Sequence, residues 1–214
     1  MSTELSTILR TVSADGNPLL RTVSSNRNTV LRGLHDLGAA SWFGGSLMGA
    51  VALNGASKDI TDPEDRARVS AAGWARWSPV ALASIAAHLV GGAGLLLANR
   101  ERVAHQSGVT ANTVAKTALT GLAVASTAYS ASLGAKVAAA GPVPAEAGAV
   151  PAEQTPRRIA AAQQQLRALQ WVNPALTAAI VLLGAQQGEQ QRPSQILLGA
   201  ARTAARRAIR RSAR

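Results

Sequence analysis

Three histidines, His35, His88 and His105, are the only side chains of this 214-residue chain whose ordinary titration falls near neutral pH. Cysteine is absent, which removes disulfides, thiolate–zinc sites and thiol nucleophiles. The sequence holds no nucleophile elbow, no phosphate-cradling glycine loop before a basic residue and no paired-histidine motif. The reading is therefore a protein without catalytic machinery and with no cofactor. His88 stands out because it is the one ionisable group inside the apolar run WSPVALASIAAHLVGGAGLLLAN. An ionisable group at that depth is a functional hypothesis by default. Counted from the ends of their own runs at 1.5 Å per residue, Met48 and Tyr129 fall near the level of His88. His88, Tyr129 and Met48 are thus expected to form a polar cluster. A neutral His88 bonded to Tyr129 or to a hydroxyl of Ser84, Ser126, Thr127 or Ser130 is the favoured form, because helix bundles use such pairs as glue. Proton relay is the rival, and no second acid lies within the runs to serve it.

The segment LHDLGAASWFGG, residues 34–45, resembles the His-to-Trp-Gly-Gly opening helix of bacterial copper-resistance membrane domains. The resemblance covers this dozen residues and implies a copper site; histidines from different helices at one depth could equally hold a haem. Metal ligands must converge. Placing His35 at the edge of the first run and His88 within the second sets them roughly 16 Å apart in depth, so a shared site is not expected.

The elements that must position these residues are given by where charge is missing. Leu37 to Ser57, Trp77 to Asn99, Thr117 to Ala135 and Ala168 to Gly188 contain no Asp, Glu, Lys or Arg. Each matches the length a helix needs to cross about 30 Å of hydrocarbon. Only 3% of residues are aromatic, although 47% are hydrophobic, so Ala, Leu, Val and Gly must do the packing. Glycines inside the apolar runs let helix backbones approach closely. The expected fold is all-α: a four-transmembrane-helix bundle with short external helices and a C-terminal amphipathic basic helix. Its parts are a polar N-terminal segment over 1–34, a membrane domain over 35–188 and a basic tail over 189–214.

Charge also sets the expected orientation. The N-terminal segment, the middle loop and the tail carry 14 basic residues against eight in the other two loops. The positive-inside bias then places both ends in the cytoplasm and the protein in the inner membrane. Trp74, Trp77 and Trp171 fall at the outer interface in that orientation, and Lys116 and Lys136 bracket the third span as snorkelling anchors. Asp36 is read as an interfacial ion pair beside Arg32. Thr61-Asp62-Pro63 reads as the start of a short outer helix near 63–73, with a turn at Ser78-Pro79. The proline-rich stretch from Gly141 to Pro156 reads as an extended or mobile tether, and Asn173-Pro174 as an entry turn.

On a helical wheel the tail places Arg202, Arg206, Arg207, Arg210, Arg211 and Arg214 opposite a shallow face of Leu, Ala and Ile. That pattern reads as a helix lying on the anionic inner leaflet. Nucleic acid is disfavoured because stacking aromatics are missing. The Arg-rich, Lys-poor, Ala-rich composition is similar to that of high-GC actinobacterial proteins. The leading function is a non-enzymatic accessory, scaffold or interaction component of the membrane, whose small-residue faces pack against further copies or another membrane protein. A small transporter or proton conduit using His88, and a haem or copper protein, are the alternatives.

Overall fold

The computed structural model describes residues 18–100 and 107–189, and almost all of them are helical. Four long helices carry the fold: α1 (Pro18–Met48), α2 (Pro63–Ala98), α3 (Ser107–Ala139) and α4 (Arg157–Glu189). The helical path of α1 continues through a π-helical turn at Gly49–Leu53 and a short stretch at Asn54–Ala56, then ends in a 3-10 turn at Ser57–Asp59. The start of α2 follows from local chemistry. Asp62 accepts a hydrogen bond from the Glu64 backbone N–H at 2.9 Å, Pro63 occupies the first turn, and Glu64 and Asp65 face the positive end of the helix dipole.

Two features differ from the sequence expectation. No separate outer helix ends at Ser78-Pro79: α2 runs through Pro79 without a break. Pro79 removes one backbone hydrogen bond, and the Ser78 hydroxyl donates to the Trp74 carbonyl at 2.9 Å beside that gap. The stretch from Gly141 to Pro156 is not a tether. It turns at Gly141, whose φ of +75° is a left-handed conformation suited to glycine. It then forms a two-stranded antiparallel hairpin, β1 (Ala145–Ala147) and β2 (Val150–Pro151). Val143, Ala145, Ala149 and Thr155 are buried there. Val143 and Ala145 pack on Ala67 of α2 and Ile159 of α4. The hairpin is a lid over one end of the bundle.

The helices pack up-down-up-down. Along α1 and α2 the contacts run in opposite directions. Gly91 abuts Leu31 and His35, Gly38 abuts Ser84 and His88, Gly45 faces the Trp77 ring, and Gly49 faces the Trp74 ring. A Cβ on Gly91 would lie 2.5 Å from the Leu31 carbonyl and the His35 nitrogen, so only glycine permits this approach. Elsewhere α3 pairs with α4, α4 leans on α1, and α2 touches α3 only lightly. Ala39, Trp42, Ala123 and Ile180 form the central core.

Large apolar side chains point outward on every helix. Leu37 of α1, Leu82 and Leu97 of α2, Leu122 of α3 and Leu182 of α4 are all exposed. Two helices are long and apolar enough to cross a membrane: Pro63–Ala98 and the part of α4 over Arg157–Gln186. In the most apolar window of each, only 22% of residues are buried.

Candidate functional site

The bundle brings His35 and His88 together. Their ring centroids lie 4.2 Å apart, both side chains are buried, and the edge of Trp42 approaches His88 at 6.4 Å. His88 Nδ1 donates to the His35 carbonyl at 3.0 Å, since a carbonyl can only accept. In the neutral ring Nε2 then accepts from the Thr120 hydroxyl, 3.3 Å away. His35 Nδ1 donates to the Asp36 carboxylate at 2.8 Å. A hydroxyl partner was expected for His88, but it is Thr120 rather than Tyr129, Thr127 or the named serines. The expected cluster of His88, Tyr129 and Met48 does not form. Met48 and Tyr129 are each 50% exposed, and Tyr129 bonds Gln165.

The reason is register. The charge gaps placed the helix ends at residues 37 and 77, whereas the helices extend well beyond the gaps and the α1–α2 turn lies at 57–62. His35 therefore lies level with His88, and the expected separation of the two histidines is wrong. Tyr129 lies nine residues past Thr120, about 13 Å further along the axis. The two rings, tilted 44° to each other, do not form a converging ligand set: both Nδ1 atoms are held by oxygen acceptors, and His88 Nε2 meets Thr120. Among the described residues no group of three or more His, Asp or Glu gathers around a common point. The arginines of the tail, Arg202, Arg206, Arg207, Arg210, Arg211 and Arg214, lie outside the described residues.

A second site lies beneath the hairpin, and sequence reasoning missed it. A cavity of about 310 Å³ is lined by residues of all four helices. Its walls include Trp42, Trp74, Trp77, Asn54, Gln170 and Asn173, and no charged residue lines it. Trp74 and Trp77, expected at an interface, instead turn inward over Gly49 and Gly45. Only Trp171 remains half exposed. Asn54 is the hub of the closed end. Its Oδ1 accepts from Ser70 Oγ at 2.7 Å and Trp74 Nε1 at 3.0 Å, and its Nδ2 donates to Gln170 Oε1 at 2.8 Å. Its carbonyl accepts from Ser57 Oγ at 2.7 Å, and that oxygen in turn accepts from the Gly148 N–H of the hairpin at 2.6 Å. A side chain on Gly148 would collide with Ser70, so glycine is required at this contact.

No protein-family model, curated protein or solved structure matches this chain. The site must therefore be read from its own geometry. On α4, Asn173 donates to Ser130 Oγ at 3.2 Å while its Oδ1 has no hydrogen-bond partner. Pro174 is an interior helix residue, not an entry turn, and Thr177 donates to the Asn173 carbonyl at 2.8 Å beside it. The sequence did carry a signal for this wall. Ser70, Trp74, Trp77 and Ala81 recur at helical spacing along α2, and Leu166, Gln170 and Asn173 do so along α4.

Proposed function

We propose that this chain is a multi-pass inner-membrane protein with four spans and both ends in the cytoplasm, acting without catalysis as a binding and interaction component. One observation carries this reading. The apolar windows of α2 and α4 face outward, with 22% of their residues buried, whereas the core helix of a soluble protein would be mostly buried. Exposed Val, Leu and Met side chains on α1 and α3 extend the same belt around the molecule. Apolar surface on that scale needs lipid or a partner to cover it. Polar groups, by contrast, gather inside: Ser70, Ser84, His88, Gln163 and Thr177 are buried. Anionic lipid under the basic tail, and self-association or a second membrane protein, are the partners this reading assigns.

The chain contains no native cysteine, so single-cysteine labelling tests the topology directly. With an impermeant maleimide on intact cells, Lys58→Cys and Glu146→Cys should label. Gln106→Cys and Ser194→Cys should label only after the membrane is opened. Release of the protein from membranes by alkaline carbonate would end the proposal.

A conduit centred on His88 is the second reading, favoured by the close approach of the His35 and His88 rings and by the Thr120 hydroxyl beside His88. It requires that His88→Leu fold normally and lose a proton flux in reconstituted vesicles; an unchanged flux rules it out.

A further inference from the structure

The cavity under the hairpin has the composition of a ligand site. It falls within the size range of small-molecule pockets, is mostly apolar, and holds a few fixed polar groups. Its walls contain neither Asp, Glu, Lys, Arg nor His, so a charged ligand would be stripped of water with nothing to pair it. The indoles of Trp42, Trp74 and Trp77 offer apolar surface. Two polar groups on α4 lack a protein partner. Gln170 commits its Oε1 to Asn54 and leaves Nε2 as a donor, and Asn173 leaves Oδ1 as an acceptor. They stand three residues apart, on neighbouring turns of one helix face. A hydroxyl donates and accepts, so an alcohol oxygen can accept from the Gln170 amide and, once admitted, donate to the enclosed Asn173 Oδ1.

Access is from the side. The hairpin closes the end through Gly148 and Ala149, whereas α2 and α3 barely touch. At that seam Ala75 and Ser78 of α2, and Ala131 and Ala135 of α3, are exposed and also line the cavity. Small residues thus form the mouth. We propose that this cavity binds an uncharged amphiphile, an apolar body ending in one hydroxyl, admitted sideways between α2 and α3. Only the route of entry, from surrounding lipid, rests on the membrane reading; binding itself does not.

The test uses the cavity's own tryptophans. Trp171, which does not line the cavity, is replaced in a Trp171→Phe background of the full chain, leaving Trp42, Trp74 and Trp77 as reporters. The protein, in micelles of a neutral detergent, is titrated with 11,12-dibromododecan-1-ol, 11,12-dibromododecanoate or 1,2-dibromododecane. Saturable quenching by the alcohol is expected, at concentrations about tenfold below those for the other two probes, and reversed by unbrominated dodecanol. Ala135→Leu, at the exposed mouth, should weaken the alcohol about tenfold. Gln170→Leu should bring it to the level of the alkane. Quenching that never saturates, or that is equal for all three probes, overturns the proposal, as does Ala135→Leu binding like its parent. Since the titration is done in micelles, such a failure is separate from a failure of the labelling experiment, which alone judges the four-span topology.

Discussion

Asn54 shows how much one side chain can organise. Three groups from two helices meet on it, Ser70 and Trp74 of α2 and Gln170 of α4, while the backbone carbonyl of the same residue accepts from Ser57 in the turn that leads to α2. Replacing it with Leu strands the Ser70 hydroxyl, the Trp74 indole N–H and the Gln170 carbonyl oxygen near a buried site. Such stranded groups cost about 1–3 kcal/mol each when they find no new partner. We expect Asn54→Leu to lower the melting temperature by several degrees, read from tryptophan fluorescence in detergent, and to shift the emission of Trp74. The role of Asn54 was hidden in the sequence because its partners lie 16, 20 and 116 residues away. His88 was legible as a buried polar residue with a hydroxyl partner. Its true neighbours, His35 and Thr120, depend on a helix register that charge gaps do not encode.

At the scale of elements, most helices could be read and their ends could not. The cap at Asp62-Pro63 is local chemistry and was foreseen. The continuity of α2 through Pro79 was not, because packing of Trp74 and Trp77 on α1 outweighs one lost backbone hydrogen bond. The glycines divide sharply. Gly91 sits against α1 backbone atoms at 2.5 Å, whereas Gly44 has nothing within 4 Å. Gly91→Ala should therefore cost about 1–3 kcal/mol through forced separation of α1 and α2. Gly44→Ala should be neutral or stabilise by up to about 1 kcal/mol through helix propensity. Comparing the two by thermal melts measures the close approach without changing polarity. Equal effects would show that the α1–α2 contact is not tight.

The described residues form two helical hairpins joined by the α1–α4 contact and by a latch. The hairpin at Ala145–Pro151 belongs to the second half, yet it fastens to the first. Gly148 bonds Ser57, the Ala145 carbonyl accepts from Arg66 Nη1 at 3.3 Å, and Val143 and Ala145 pack on Ala67. A chain severed after residue 103 should accordingly reassemble when residues 1–103 and 104–214 are co-expressed, with the tagged first half retaining the second through purification. Gly148→Val should reduce that recovery, because its side chain meets Ser70 and Asn54. The latch was illegible in the sequence: prolines and small residues resemble a tether until the surface they fit is known.

The bundle is a ring with three firm joints and one loose one, at the line between α2 and α3. Elastic give is therefore concentrated along a single edge. In the bilayer that the proposed function assigns, a change in lateral pressure is expected to act on that edge first. The molecule would respond to crowding around it as a spring clip does, opening in one direction only.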